Sequence, residues 1–350
     1  MTNEKPPKLT PHDTPVGTVP LISVEGTARE CGRQYARIVL ERYPGFRQYL
    51  DAAWRFAADL SAVEARLIER RAPHLLDLYE GLRTEAGPPE APADRPPGGG
   101  CTSFALSGAV TAGGMPIAGQ TKDTPLSRLQ RYITLRMRIK DAPTILVLAY
   151  PGEILGYGLW SRGSGGMCLF RNDLWSTAGA AEGLGMTVFG LLALASESVG
   201  DVVELANQYG VAGRANMLIA AAAGDSVCVE TNAGGLEIVR GQDGILTHAN
   251  HPLGERTRTH ERYDFPSMKP DSEYRTFGFR KLLAGRRGRL TVENVLELIA
   301  DHTTYPLGTC KHASENGEYT TAVVVAEPAR GALHVVRGQP CRNEPVTCTV

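Results

Sequence analysis

The chain has 350 residues, a formal net charge of -1 and 42% hydrophobic residues. A chain of this length and composition can bury a large globular core. Its near-neutral charge predicts no nucleic-acid partner and no binding to an anionic membrane. The sequence opens with a polar, proline-rich stretch without a secretory signal, and no run approaches the ~18 apolar residues of a membrane span. We therefore expect a cytoplasmic protein.

The first segments, in chain order, predict an arm followed by helices. Residues 1–25 have the composition of a flexible arm. From Thr27 the apolar residues recur with helical spacing, and Ser61 and Glu64 have the spacing of a capping box at the start of a later helix. Residues 87–100 are then dominated by proline and glycine, which excludes a helix or a central strand there.

After Cys101 the apolar period changes to two, which predicts strands. The predicted strands are 102–106, 115–121, 132–139, 144–149, 216–222, 226–231, 236–240, 245–249, 320–326 and 332–337. Two helices interrupt them, one at 199–209 that ends at Gly210, and one from a cap at Thr291 to Ile299. Helices followed by runs of strands favour an α+β protein with antiparallel sheets over a doubly wound parallel sheet.

The seven cysteines are odd in number, and no two of them form a C-x-x-C pair. This pattern predicts neither a disulfide framework nor a zinc ribbon. The nearest approach to a metal motif is the pair His248 and His251, which lie three residues apart at a strand end, so that their side chains point to opposite faces. No metal and no organic cofactor is therefore predicted.

Cys101 is singled out by the three glycines that precede it. Glycine allows strained backbone angles, and a thiol beside an unhindered Gly100 carbonyl can attack it. The peptide would become a thioester, and hydrolysis would release Cys101 with a free amine whose pKa, about 7.7–8.0, suits a general base. On the local sequence alone, a linker followed by a buried strand cysteine is the better interpretation.

The flanking motifs add a family resemblance. The sequence G-C-T-S at residues 100–103, followed after a hairpin by G-Q-T-K-D at 119–123, resembles the start of the catalytic chain in the penicillin acyltransferase family. That family is similar to choloylglycine hydrolases and acid ceramidase, all N-terminal-nucleophile (Ntn) hydrolases. Residues 26–32, 247–251 and 305–311 resemble the family motifs G-T-x-x-x-x-G, H-x-N-H and Y-P-x-x-x-C-R. The resemblance extends from about residue 24 to residue 338, with the motifs in order.

The resemblance implies a role for each matching residue. Cys101 matches the nucleophile, and Asp123 matches a carboxylate that orients the nucleophile and its new amine. Asn250 matches a side-chain amide of the oxyanion hole, and Asn172 matches a second polar group near that site. Without the resemblance, Asp123 is better explained as a turn residue before Pro125, and Asn250 as a residue that ends a strand.

Gln120 and Lys311 match substrate-binding positions. Lys311 stands where the family usually has arginine, which keeps the charge but loses the planar fork for a carboxylate. Lys122 lies in a second departure, because the family often has asparagine and an aromatic residue directly before the aspartate. Both departures bear on which substrate the protein binds more than on which reaction it catalyses.

The resemblance implies a four-layer αββα sandwich of two antiparallel sheets with an N-terminal helical segment beside it. The implied parts are a flexible arm (1–25), a helical prosegment ending in a processing loop (26–100) and a catalytic chain (101–350). After self-cleavage between Gly100 and Cys101, the two chains would stay together as one domain. Cys101 would then take an acyl group from a small-molecule amide or thioester, with acyl-CoA as a candidate donor, and pass it to water or an amine.

Two other functions remain open from the sequence. One is a catalytically inactive protein that keeps the fold and binds a small molecule. The other is an unprocessed thiol hydrolase in which Cys101 pairs with a histidine. The candidate histidines are His248, His260, His302 and His312.

Overall fold

A computed structural model describes residues 17–89, 99–163, 165–312 and 317–350. Residues 1–16 of the predicted arm and residues 90–98 of the proline- and glycine-rich segment lie outside these ranges. The N-terminal part is helical, as predicted. Its helices are α1 (Ala28–Arg42), α2 (Arg47–Ala58), α3 (Ala62–Arg71) and α4 (His74–Ala86). The predicted capping box at Ser61 and Glu64 starts α3, and Thr27 with Glu30 forms another at α1.

Six further helices lie among the strands. They are α5 (Met186–Ala195), α6 (Val199–Tyr209), α7 (Glu255–Arg258), α8 (Met268–Glu273), α9 (Phe279–Ala284) and α10 (Val292–Ile299). A π-helical segment, Tyr274–Gly278, joins α8 to α9. The predicted cap at Thr291 is present on α10. No helix within the described ranges is long and apolar enough to cross a membrane.

The strands form two sheets. They are β1 (Leu21–Gly26), β2 (Gly100–Leu106), β3 (Ile117–Pro125), β4 (Ile133–Ile139), β5 (Thr144–Ala149), β6 (Tyr157–Arg162), β7 (Gly165–Asp173), β8 (Ala215–Ala221), β9 (Ser226–Asn232), β10 (Gly235–Arg240), β11 (Ile245–His248), β12 (Glu318–Glu327), β13 (Ala332–Arg337) and β14 (Val346–Thr349). One sheet has the order β1-β4-β5-β6-β7-β8-β9-β10, and the other β11-β2-β3-β12-β13-β14. Neighbouring strands pair antiparallel, except that β1 pairs parallel with β4.

Three apolar clusters show that the sheets are the inner layers of a sandwich. The first packs α1 to α6 against the outer face of the eight-stranded sheet and includes Tyr35 and Met137. The second, with Phe170 and Val324, fills the space between the sheets. The third packs α9 and α10 on the outer face of the six-stranded sheet, around Phe104. This arrangement confirms the predicted αββα sandwich, and it places the N-terminal helices within an outer layer rather than beside it.

Several elements differ from the predictions, and strands β6, β7 and β14 and helices α7 to α9 were not predicted. At the end of the predicted arm, Leu21–Gly26 forms the edge strand β1. Helix α5 was not predicted, because eight of its ten residues are buried and its apolar residues therefore show no helical period. Strands β10 and β11 follow each other in sequence but belong to different sheets, and the turn at Asp243 and Gly244, both with positive φ, carries the chain between them.

The hairpin of β2 and β3 positions the site. It lies inside the six-stranded sheet, with β11 on one side and β12 on the other. Cys101 pairs across the hairpin with Lys122, and Gly100 pairs with Asp123. Because side chains alternate along a strand, Cys101 and Lys122 face the other sheet, whereas Asp123 faces the outer helices. The hairpin therefore presents a different set of groups on each side of the Gly100–Cys101 bond.

Candidate active site

The Cys101 thiol has a lysine as its hydrogen-bond partner. Lys122 Nζ lies 3.2 Å from Cys101 Sγ, and both residues are buried. The same ammonium lies 4.1 Å from the centre of the Tyr157 ring, so a cation–π contact holds it from the eight-stranded sheet. Lys122, which looked like a departure from the family in the sequence, is thus the nearest charge to the nucleophile.

Burial and charge act in opposite directions on this pair. Burial raises the pKa of the Cys101 thiol, and the adjacent Lys122 ammonium opposes that rise. Burial lowers the pKa of Lys122, but its contacts with Cys101, Tyr157 and Tyr132 raise the pKa well above its usual value overall. Lys122 therefore remains an ammonium, which stabilises a thiolate but cannot itself accept the thiol proton.

Replacement of Lys122 tests this contact. We expect Lys122→Met to raise the pKa of Cys101 further, because a buried thiolate loses its neighbouring positive charge. The pH dependence of alkylation of Cys101 by iodoacetamide measures the change. Lys140→Met, at an exposed lysine just after β4, is the matched control and should leave the profile unchanged. An unchanged profile in Lys122→Met would show that the ammonium does not tune the thiol.

The backbone of Cys101 is held by three side chains. Its N–H donates to Asn250 Oδ1 at 3.0 Å, and its carbonyl accepts from Asn172 Nδ2 at 3.1 Å. Arg275 Nη1 also donates to that carbonyl, at 2.6 Å, while Arg275 Nη2 donates to Asn250 Oδ1 at 2.9 Å. The predicted residues Asn250 and Asn172 therefore meet at the nucleophile, and fully buried Arg275 links them.

A cluster of carboxylates surrounds Gly100 on the other face of the hairpin. The Gly100 N–H donates to Glu318 Oε1 at 2.6 Å. Thr320 Oγ1 donates to Asp123 Oδ1 at 2.7 Å, whereas Asp123 Oδ2 is buried without a hydrogen-bond partner. That oxygen would lie 3.5 Å from a Cβ atom placed on Gly100. An unpartnered carboxylate oxygen thus lies beside the Gly100–Cys101 bond.

The charges of this cluster do not balance in the uncut chain. Its carboxylates are Asp123, Asp271 and Glu318, and its cations are Arg275 and Lys311. Lys311 Nζ binds Asp271 at 2.8 Å and lies 3.9 Å from Glu318, and Arg275 Nε binds Asp271 at 2.8 Å. Burial raises the pKa of Asp123 to about 6, although Lys311 and Arg275 oppose the rise. One additional positive charge would balance the cluster.

The raised pKa of Asp123 predicts a pH-dependent stability of the uncut chain. A carboxyl group whose pKa rises from 3.8 to about 6 on folding stabilises the fold fully below pH 3.8. That contribution is lost as the pH rises through about 6, and its size is roughly 3 kcal/mol. Chemical denaturation of Cys101→Ala between about pH 4 and about pH 7 measures it. The double variant Cys101→Ala/Asp123→Asn should lack this pH-dependent contribution. If the free energy of unfolding depends on pH equally in both variants, Asp123 does not have the raised pKa.

The two predicted substrate-binding residues are both engaged within the protein. Gln120 Nε2 donates to the Arg171 carbonyl, so Gln120 bridges β3 to β7 between the sheets, on the face that carries Cys101. Lys311 lies in the carboxylate cluster on the opposite face. The structure therefore places Gln120 on the face of the hairpin that carries the Cys101 thiol and Lys311 on the opposite face.

The candidate histidines all have partners away from the Cys101 sulfur. His248 bonds Glu230 and the Ala249 carbonyl, and His260 lies 3.2 Å from Thr177 Oγ1. The Nε2 atoms of His302 and His312 lie 2.9 Å apart. His251, the second histidine of the pair that suggested a metal, bonds Ser272 instead of converging with His248. This geometry does not support a thiol–imidazole pair at Cys101.

Sequence analysis did not predict Arg275, Asp271 or Glu318. Arg275 lies in the π-helical segment and Asp271 one turn earlier in α8, and neither segment was predicted to be helical. Glu318 begins β12 and is buried. A carboxylate at the start of a buried apolar strand is the one signal that the sequence offers for this set.

Comparison with known protein families gives one match. The family model described as acyl-coenzyme A:6-aminopenicillanic acid acyl-transferase matches residues 113–342, or 230 of the 350 residues. The matched range begins between the two strands of the hairpin and includes Asp123, Asn172, Asn250 and Lys311. A search of curated proteins found no match.

The solved structures with a similar course of the chain include the following three. A mutant of the conjugated bile acid hydrolase from Clostridium perfringens is 10% identical, with a TM-score of 0.45 over 71% of this chain and 92% of that chain. The Caenorhabditis elegans ortholog of N-acylethanolamine-hydrolyzing acid amidase is 12% identical, with a TM-score of 0.44 over 65% and 93% of the two chains. Penicillin V acylase from Agrobacterium tumefaciens is 12% identical, with a TM-score of 0.42 over 68% and 83%.

Proposed function

We propose that this chain, which belongs to the acyl-coenzyme A:6-aminopenicillanic acid acyltransferase family, cleaves itself before Cys101 to become active. Membership of the family confirms the predicted class of amide hydrolase or acyltransferase. The new amine of Cys101 then serves as the base and its thiol as the nucleophile. The acyl group of a small-molecule amide or thioester passes through a Cys101 thioester to water or to an amine.

The unpartnered Asp123 oxygen carries this proposal. It lies beside the Gly100–Cys101 bond in a cluster with one more carboxylate than cations. Cleavage would create an ammonium on Cys101 within this cluster, held by Asn250 Oδ1, which already binds the same nitrogen. The site thus has the charge and the hydrogen-bond acceptor that an N-terminal amine requires, before that amine exists.

Self-cleavage would proceed by an N-to-S acyl shift. Cys101 Sγ, stabilised as a thiolate by Lys122, bonds to the Gly100 carbonyl carbon. The carbon–nitrogen bond breaks, and the nitrogen takes up the proton that the thiol released, so that it becomes the Cys101 amine. Water then attacks the thioester, the carbon–sulfur bond breaks, and a Gly100 carboxylate and a free thiol result, while the remaining proton converts the amine into an ammonium.

Charge repulsion would then open the site. The new Gly100 carboxylate forms beside Asp123 and Glu318, and like charges at this separation in a buried cluster repel. Displacement of this chain end also removes the Gly99 carbonyl, which lies 3.5 Å from Asn250 Nδ2. One N–H of Asn250 then becomes available to an oxyanion, while the other remains on the Asp173 carbonyl at 2.8 Å.

During turnover, the Cys101 amine would take part in both proton transfers. After the ammonium formed by cleavage has lost its proton to solvent, the neutral amine accepts the thiol proton as Cys101 Sγ attacks the substrate carbonyl, and it donates that proton to the leaving amine or thiol. The acyl thioester that remains is attacked by water or by an acceptor amine, and the same base assists. Acyl-CoA is a candidate donor because the family description names acyl-coenzyme A.

Trapping of the acyl-enzyme tests this function against a non-catalytic binding protein on the same fold. Purified protein is mixed with a panel of acyl-CoA thioesters and aryl amides, quenched in acid and analysed by peptide mass spectrometry. We expect at least one donor to add its acyl mass to the peptide that begins at Cys101, and prior alkylation to block the addition. Reversible binding of panel members without acylation or turnover would favour the binding protein.

A further inference from the structure

Four metal-ligand side chains converge at a place that the proposed reaction does not use. They are His302, Cys310, His312 and Cys341, and their donor atoms all lie within 4.8 Å of one another. His302 follows α10, Cys310 and His312 lie between α10 and β12, and Cys341 follows β13. The fold therefore brings the connection between α10 and β12 together with the segment that follows β13.

The sulfur–sulfur distance and both sulfur–nitrogen distances of His312 are close to those around a single tetrahedral ion, whereas the two Nε2 atoms lie closer together and would have to separate on binding. The two sulfurs are 3.6 Å apart, His312 Nε2 lies 3.3 Å from Cys341 Sγ and 3.9 Å from Cys310 Sγ, and the two Nε2 atoms are 2.9 Å apart. Bond lengths of about 2.3 Å to sulfur and 2.0–2.1 Å to nitrogen place tetrahedral ligand atoms about 3.3–3.8 Å apart. We propose that these four side chains bind Zn²⁺.

The donor set selects the kind of ion and its role. Two thiolates and two imidazoles are a typical set for zinc, whereas calcium and magnesium prefer oxygen ligands. Four protein ligands complete the coordination, so the ion would be structural and would hold no catalytic water. All the cysteines are free thiols, Cys310 and His312 are buried, and exposed Cys341 gives an ion access from solvent.

The site cannot be recognised from the sequence because its ligands follow no zinc-finger spacing. Cys310 and His312 are separated by one residue, His302 lies ten residues before His312, and Cys341 lies 29 residues after it. The prediction that the chain has no metal site rested on the absence of paired cysteines and did not consider ligands that only the fold assembles. Zinc binding by these four donors would overturn that prediction.

The ion would also support the candidate active site. Lys311, which binds Asp271, lies between the two ligands Cys310 and His312. Its N–H donates to Thr320 Oγ1 at 2.8 Å, and Thr320 Oγ1 donates to Asp123. Zinc would therefore fix the segment that positions Lys311 and, through Thr320, Asp123. This supporting role rests on the proposed function, whereas metal binding itself does not.

Metal content of the full-length chain tests the proposal. Wild-type protein and Cys101→Ala, reduced, incubated with Zn²⁺ and desalted, should each retain about one equivalent of zinc by elemental analysis. Use of the uncut Cys101→Ala chain keeps this result independent of self-cleavage. Cys341→Ser and His302→Ala should weaken zinc binding by more than about 100-fold, and Cys348→Ser, at a cysteine outside the cluster, should not.

Cobalt gives a second readout that does not depend on any variant folding correctly. Co²⁺ added to chelator-treated wild-type protein should give the intense visible bands of a tetrahedral site and a thiolate charge-transfer band, and Zn²⁺ should abolish both. Protein that retains no zinc and shows no such bands would overturn the proposal. Isolation of a Cys310–Cys341 disulfide that takes up no metal after reduction would overturn it as well.

Discussion

Cys101→Ala is expected to give a folded, uncut chain without turnover. The substitution removes the attacking sulfur, so neither the acyl shift at Gly100 nor acylation by substrate can occur. We expect kcat to fall by at least about 10⁴-fold, since loss of a nucleophile leaves only the contributions of binding and the oxyanion hole. Cys101→Ser keeps a nucleophile, but a hydroxyl ionises far less than a thiol, and cleavage should be slow or absent.

The other cysteines supply matched controls for this prediction. Cys168 and Cys228 are buried on β7 and β9 of the eight-stranded sheet, and Cys→Ser there should cost stability while sparing cleavage. Turnover at the wild-type level in Cys101→Ala would make Cys101 a structural strand residue. Cleavage after Gly100 in that variant would mean that another protease makes the cut.

Asn250→Ala is expected to lower kcat by about 10²–10³-fold with little change in KM. In the account above, its Nδ2 donates to the oxyanion only when charge develops on the substrate oxygen, so its loss affects the transition state more than substrate binding. Steady-state kinetics on any substrate found by acyl trapping measure this. Processing should also slow, because Asn250 Oδ1 orients the Cys101 nitrogen.

Two further variants separate these functions of Asn250. Asn250→Asp keeps an oxygen for the Cys101 nitrogen but removes the N–H donors, so it should lose kcat while processing is retained better than in Asn250→Ala. Asn207→Ala, at an exposed asparagine of α6, is the control and should behave as wild type. Wild-type kcat in folded, processed Asn250→Ala would return Asn250 to a structural role.

The sequence predicted much of the fold because local patterns agree with the final structure. The period-two segments became β8, β9, β10, β12 and β13, and the caps at Ser61 and Thr291 start α3 and α10. The pairing of Cys101 with the β3 residues also follows from one hairpin of consecutive strands. A hairpin fixes its register locally, so these contacts depend on few distant residues.

The remainder of the site depends on contacts that no local pattern reports. Arg275 reaches Cys101 across 174 positions of sequence, and Glu318 reaches Gly100 across 218. Lys122 is recognised as the partner of the thiol only in the structure, where its side chain points from β3 toward Tyr157. Motif resemblance identified Asn250 but not that its oxygen binds the Cys101 nitrogen, because that orientation is imposed by two donors, Cys101 N–H and Arg275.

The mass of the purified wild-type protein and the N-terminal sequence of its larger fragment test the central claim most directly. The account predicts a 100-residue chain and a 250-residue chain that co-purify without a disulfide, and a larger chain whose first residue is Cys101 with a free amine. Cys101→Ala should give a single chain of 350 residues. A fully active wild-type protein that consists of one intact chain would contradict the N-terminal-nucleophile mechanism.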